Sequence, residues 1–451
     1  MGIAKQAAEA MRSFRFEDIP QRGVEQSKAA VIDSLGVAFP GRDEPIAEAL
    51  RRISDVDPTI AEATIWSSGK KTSLLNAAFL NSTEIHCIDY DNGGSLGHPA
   101  SVLLPAALAV AEKYHLSGKQ VITAYAAAYE LGARMRESLG DLQHGAGFHA
   151  TSLLGVIACA AEVSMLLGLD AEKMSMAMSI ATSLSSGMMQ SFGMDSKPLQ
   201  VANASRNGVL AALLAKEGMK GDPGIFEENK GFYFVYGQEK ADMNGLLASF
   251  GKPVKVASER GHFKQWPCCG GNYEVLSALY NYKGERIIPE DIEEIVIRLS
   301  MDPPGPAFRT DPKTPMEGRF SVTYNVASCL LDGYVDLSTF TEEKFGRPEV
   351  QALTRKCRVV KYTAEEERPE GLKKENRFVG ITICRKDGST VNLYQGASDR
   401  LQLEGEDIYD KFGDNAAAAG IPAENIKKVK EMVHAMETLE DTGEIIRALY
   451  R

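Results

Sequence analysis

A chain of 451 residues is longer than the roughly 250–300 that one hydrophobic core serves, so two domains are expected. Its 44% hydrophobic and 25% charged residues exclude a fibre or a disordered chain and fit an ordinary soluble globular protein. A net charge of −11 argues against nucleic acid and anionic membranes as partners. An anionic small molecule stays open, since a few local lysines or arginines outweigh acidic surface beyond a Debye length.

The N-terminal Met1–Gln6 is charged and lacks an apolar h-region, so no signal peptide is expected. Gln6 stands where myristoylation wants Ser or Thr. The most apolar segments, such as Ser101–Ala111, are too short to span a bilayer. Seven cysteines without a C-x-x-C pair support neither a zinc ribbon nor a disulfide framework, which points to the reducing cytosol.

In chain order, Val24, Val31, Ile32, Leu35 and Phe39 mark a helix over Val24–Phe39. A second covers Leu74–Thr83. Ser117–Gln120 is a capping box ahead of another. Gly168 closes one helix, and Asp170 caps the next, Ala171–Leu184. Ala204–Gly218 supplies one more. Small residues such as Ala124 and Ala126–Ala128 allow close helix approach, and the segments are apolar on most sides. The texture changes near Lys252. Period-two alternation predicts strands at Glu294–Ser300, Arg358–Thr363, Arg377–Cys384 and Thr390–Tyr394, the last two joined by a turn at Lys386-Asp387-Gly388. Arg319–Leu331 and Pro348–Lys356 read as helices between them. After about Arg400 the chain is helical again, with Ala423–Met436 amphipathic and Glu437–Arg451 charged. The fold class is mainly α: a large helical domain from 1–250 and 398–451, and a smaller α+β lid domain over 251–397.

No G-x-G-x-x-G, G-x-x-x-x-G-K-[ST] or H-E-x-x-H occurs, which removes the easiest routes to dinucleotide, nucleotide and zincin chemistry. Gly93-Gly94-Ser95-Leu96-Gly97 matches G-x-S-x-G, but a helix and a polar loop precede it where a nucleophile elbow needs a strand. Five polar stretches remain in apolar, glycine-rich surroundings. His86–Ser101 holds Asp89 and Asp91 and puts His98 before Pro99, at a helix N-terminus that favours an anion and a neutral imidazole. The bland alternative is that the aspartates cap turns and His98 is structural. Gly145–Ser152 repeats the arrangement with His149; His144 beside it reads as a surface residue. Gly193–Gln200 carries Lys197, with Arg206 on the next helix. A lysine between apolar helices marks a buried anion, either a protein carboxylate such as Asp195 or a ligand. His262–Asn272 holds His262, Lys264 and the adjacent Cys268–Cys269, which read as packing residues. Phe320–Asn325 holds Tyr324 on a helix.

Asn76–Phe79 leading to His86–Asp91, then Gly97–Ser101, Phe148–Thr151, Ser196–Leu199, Lys264–Cys269 and Phe320–Tyr324, resemble in order the signature of the MmgE/PrpD family. The resemblance runs from about Glu25 to about Ala397. It implies a helical domain joined to a smaller α+β domain, a homodimer, and an active site between the domains that works without metal or organic cofactor. It carries active-site positions to Asp89, His98, His149, Lys197, Lys264 and Tyr324; His262 and Arg206 are added from their surroundings. The chain departs from the family at Asp91-Asn92-Gly93, where Asp-Asp-Thr is common, and at Leu199-Gln200-Val201-Ala202, where Leu-His-Pro-Gly is common.

The implied chemistry builds or quenches charge on a carbon next to a carboxylate of a small di- or tricarboxylic acid, in the manner of 2-methylcitrate dehydratase or cis-aconitate decarboxylase, with loss of water the first choice. His98 and His149 would handle protons, with Tyr324 and Asp89 beside them, while Lys197 and Lys264 clamp carboxylates and steady the enolate. Two other readings stand: an epimerase of an imino- or amino-dicarboxylate, and a catalytically silent helical binding protein.

Overall fold

Helices begin where the sequence supplies a capping oxygen. Ser73 accepts from the Asn76 N–H ahead of helix Leu74–His86. Ser117 and Gln120 form the expected capping box ahead of Gly118–Leu139, and Asp170 accepts from the Lys173 N–H ahead of Ala171–Thr182. The computed structural model describes residues 2–54, 61–140, 142, 146–237, 241–259, 261–300, 309–362, 369, 372 and 377–450. His144 and Thr363, the expected end of a strand, lie outside the described residues.

Pro99–Tyr114, Gly118–Leu139 and Ala150–Leu166 are buried along nearly their whole lengths and form the centre of the bundle. Small residues set the spacing: a Cβ on Gly208 would lie 2.5 Å from Cys159 Sγ, so the helix carrying it needs glycine there. Ile408, Phe412, Val429, Val433 and Ile446, from the C-terminal helices, join the same hydrophobic core. Glu406–Ala418 lies directly against Gln21–Gly41.

Two helices differ from expectation. The one expected at Ala204–Gly218 runs Ser196–Lys216. Pro198 sits in its first turn, where a missing N–H costs nothing. Lys197 and Arg206 therefore share one helix instead of lying on successive elements. The helix expected over Arg319–Leu331 is two, Pro315–Arg319 and Val322–Asp332, because Ser321 accepts from the Tyr324 N–H and caps the second.

Ala63–Thr64 (β1) and Lys71–Thr72 (β2) make a short antiparallel pair. The larger sheet contains Ile292–Leu299 (β3), Cys357–Lys361 (β4), Phe378–Arg385 (β5) and Thr390–Gly396 (β6), in the order β4-β3-β5-β6. β3 and β4 are parallel, so the chain between them crosses over through Val322–Asp332 and Pro348–Arg355. β5 and β6 form the expected hairpin, with Ile381 opposite Leu393. Ile295, Ile297, Ile381 and Ile383 meet Val322 and Val326 in a separate hydrophobic core. The architecture is mainly α with a smaller α+β part. No helix among the described residues is long and apolar enough to cross a membrane.

Candidate active site

Helix Leu74–His86 delivers His86, fully buried, in its last turn. The chain then reverses at Asp89, which takes a left-handed φ of 52°, a conformation that costs a non-glycine residue about 1 kcal/mol or more. At Gly93 it pairs with the segment that follows the bundle. The Gly93 N–H donates to the His262 carbonyl at 2.9 Å, and the His262 N–H donates back at 3.1 Å. This bridge lays His262–Lys264 beside the Asp89 loop. The G-x-S-x-G run is thus a paired loop after a helix, and no strand-to-helix elbow exposes Ser95 as a nucleophile. His98 and His149 stand at the N-caps of Pro99–Tyr114 and Ala150–Leu166, and neither side chain caps its own helix.

Asp89 is the charge centre. Lys264 Nζ donates to its Oδ2 at 2.7 Å and to its carbonyl at 2.6 Å. Lys197 Nζ donates to its Oδ1 and, at 2.8 Å, to His86 Nε2. Burial alone would raise the Asp89 carboxyl, but the Lys197 and Lys264 ammoniums outweigh it and hold the group well below the usual carboxylate range. For Lys264 burial pulls down, while Asp89 and Asp91 pull harder upward. The partner of Lys197 is therefore Asp89 and not Asp195. An ammonium has three donors, so each lysine keeps one N–H without a partner among the described residues.

Three imidazoles line up above these charges. The His86 ring lies 4.7 Å from His98 and 6.1 Å from His149, centroid to centroid. Because Lys197 donates to His86 Nε2, the His86 proton sits on Nδ1 and goes to Asp91 Oδ2 at 2.9 Å. Burial first, and Lys197 second, push the His86 pKa down to about 4. His98 Nδ1 lies 2.9 Å from the same Asp91 oxygen, at an angle outside hydrogen-bond geometry, and Ser101 Oγ donates there too. Burial raises the Asp91 carboxyl, but His98 and His86 draw it well below its usual range. His149 Nδ1 meets Gln200 Oε1 at 2.9 Å, while its Nε2 is buried without a partner among the described residues. Burial and Lys197 keep His149 neutral, well below the usual imidazole range. Phe192 and Phe320 form an apolar wall, their rings 5.5 and 5.3 Å from Lys197 Nζ. Phe320 belongs to the α+β part, so the site lies where the two parts of the chain meet.

Asp89, His98, His149, Lys197 and Lys264 thus converge. His262 adjoins them through the Gly93 bridge; its Nδ1 lies 3.3 Å from Gln402 Oε1, and burial followed by Arg400 lowers its pKa. Two residues singled out from the sequence make no hydrogen bond to this cluster among the described residues. The Tyr324 hydroxyl donates to the Thr339 carbonyl at 2.5 Å, and its ring packs on Phe340 and Phe345. The Arg206 guanidinium lies 5.2 Å above the Phe79 ring, seven residues before His86 on helix Leu74–His86. Two members of the cluster were not singled out: His86, at the apolar end of a helix, and Asp91, read as a turn cap. Lys411, from the C-terminal helix Glu406–Ala418, supports the loop from behind, donating to Asp33 at 2.7 Å and to the Tyr90 carbonyl at 2.8 Å. His86, Asp91 and His98 have the spacing of metal ligands. They fit a metal poorly, because Lys197 at His86 Nε2 keeps a proton on Nδ1, the atom that would face the ion.

The fold and this polar centre define a two-part enzyme-like architecture that sequence comparison places. The MmgE/PrpD N-terminal domain matches residues 5–243 and the MmgE/PrpD C-terminal domain matches 266–435; the chain belongs to the MmgE/PrpD family. Human cis-aconitate decarboxylase is 27% identical over 463 aligned positions, spanning 97% of this chain and 92% of its own length. Cis-aconitate decarboxylase of Aspergillus terreus is 26% identical, spanning 99% and 96%. A cis-aconitate decarboxylase-like protein of Aspergillus oryzae is 27% identical, spanning 95% and 93%. These likenesses support a lyase-like enzyme in the broad sense.

Proposed function

We propose that the chain is a carboxy-lyase acting on a small unsaturated di- or tricarboxylic acid of the cis-aconitate kind. The observation that carries this is a bare, buried His149 Nε2 facing a cluster in which two ammoniums each keep one free N–H. The names of the relatives support decarboxylation over dehydration.

In the proposed step the bond from carbon to the departing carboxylate breaks and carbon dioxide leaves. The electron pair passes into the allylic system conjugated with a neighbouring carboxylate, and a histidine adds one proton to carbon. The free N–H of Lys197 and of Lys264 meets the charge that builds on the remaining carboxylate, already in place and shielded from water. General acid–base help of this kind is worth on the order of 100–10,000-fold. One proton is consumed in each turnover. His98, whose side chain is 19% exposed, can draw it from water, whereas the fully buried His149 handles protons only within the closed site. The same reading takes residues 251–397 as a lid and the chain as a cytosolic homodimer, for which light scattering at twice the chain mass is the check.

The test is NMR of the purified protein in deuterated water with cis-aconitate, 2-methylcitrate and aspartate-derived acids. Carbon dioxide release with one deuteron in the product is expected. Loss of water would make it a hydro-lyase, and deuterium exchange without either loss an epimerase. No change in any acid would overturn the proposal.

A further inference from the structure

Gln200 lies one helical turn beyond Lys197, and its amide is held at both ends. Nε2 donates to the Met188 carbonyl at 3.3 Å and to Ser191 Oγ at 3.0 Å. A carbonyl only accepts, so this end of the amide is the nitrogen, and the oxygen is the atom that faces His149 Nδ1 at 2.9 Å. An amide oxygen only accepts as well. The proton on a neutral His149 therefore sits on Nδ1, and Nε2 carries the lone pair.

The segment bearing Met188 is itself fastened over His149. The His149 N–H donates to the Gly187 carbonyl at 3.1 Å, the Met189 N–H donates to the Gly147 carbonyl at 2.9 Å, and Phe148 pairs with Met188. Gly187 has φ of 130°, and a Cβ there would lie 3.2 Å from both His149 Cβ and Gln200 Oε1 and 2.0 Å from Ser152 Oγ. Glycine is what lets this backbone come so close.

We propose that Gln200 is a positioning residue that locks His149 in its Nδ1–H form, so that Nε2 is the one atom able to take up the proton that the step delivers to carbon. Glutamine, with its amide turned by Met188 and Ser191, offers His149 an acceptor alone. The inference rests on the proton-handling role proposed for His149, but its first test needs no substrate.

That test is the 15N spectrum of histidine-labelled protein, with His149→Asn identifying the signal. A protonated Nδ1 and bare Nε2 are expected in the native chain, and a shift toward Nε2–H in Gln200→Leu. Kinetics with cis-aconitate form the second arm. Gln200→Leu should lower kcat on the order of 10-fold or more, short of the loss of the proton donor itself, with KM little changed. Gln200→Glu keeps an acceptor at His149 but loses the donor to Met188. It should recover most of kcat, with the alkaline limb of its pH profile moved upward. If Gln200 served only to hold the segment over His149, Gln200→Glu would be as impaired as Gln200→Leu, and the tautomer would not move. That pattern, or an Nε2–H tautomer in the native chain, would overturn the proposal. Inactivity on every acid, with the tautomer as expected, would count against the proposed reaction and leave the lock standing.

Discussion

Replacing Asp89 by Asn keeps the side-chain shape and removes the one charge shared by two buried ammoniums. Lys197, Lys264 and Asp89 side chains are each at most 3% exposed, so solvent screens little of the interaction. Removing one partner of a buried pair costs about 3–5 kcal/mol, because the other charge is left uncompensated. Here one carboxylate serves two cations, which puts Asp89→Asn near the upper end, about 5 kcal/mol at pH 7. The Asp89 pKa is lower in the fold than in the unfolded chain. Its stabilisation is therefore present above the ordinary carboxylate range and is lost as pH falls through the folded value. The gap between native chain and variant should accordingly be full at pH 7 and close in acid. Urea unfolding of Asp89→Asn, Lys264→Met and the double variant provides the assay. The double variant removes one orphaned charge, so it should be more stable than the sum of the single losses by over about 1 kcal/mol. Asp89→Asn within about 0.5 kcal/mol of the native chain, or strict additivity, would refute the reasoning.

Further tests address the rest of the polar interior. Both oxygens of fully buried Glu162 lack partners among the described residues, and burial holds its carboxyl well above the usual range. The fold then keeps a proton that the unfolded chain releases, and stability falls by up to about 1.4 kcal/mol per pH unit above the ordinary carboxyl value. Glu162→Met should be the more stable chain by a margin that widens from pH 5 to pH 8; a constant margin would show that Glu162 is ionised in the fold. His98→Asn and His149→Asn should each lower turnover of cis-aconitate by on the order of 100-fold or more, with melting temperature little changed. Unchanged turnover in both would remove the acid–base assignment. Lys411→Met should speed hydrogen exchange at residues 89–92 and 262–265, since its ammonium also donates to the Lys264 carbonyl at 3.1 Å. Unaltered exchange there would mean the loop does not depend on the C-terminal helix.

The elements were legible where periodicity and caps agreed. Ser117–Gln120, Asp170 and the turn at Lys386–Gly388 each appear where the local chemistry demands. The helix at Ser196 was hidden because Pro198 reads as a breaker unless its place in the first turn is known. Glycine loops ahead of apolar helices were enough to mark His98 and His149. The roles of His86 and Asp91 were not legible: the sequence shows a buried polar pair but not that Lys197, 111 residues on from His86, closes on it. Nine residues, about two and a half turns, separate Arg206 from Lys197, so the two side chains meet helix Leu74–His86 at different levels, one at Phe79 and the other at His86. That the Thr339 carbonyl takes the Tyr324 hydroxyl was not legible, because a place in a motif does not say what lies opposite a helix face.

The bridge between Gly93 and His262, and the grip of Lys264 on Asp89, make the polar centre a fastening between the bundle and the segment leading to the sheet. Architecture and the proposed chemistry thus draw on the same three charges. A descendant chain that stopped catalysing would still be selected to keep Asp89, Lys197 and Lys264, because losing any one strands a buried charge. Their survival in a distant homologue records that the fold is intact. The sharper sign of surviving chemistry is an imidazole whose outward nitrogen the protein has left unclaimed.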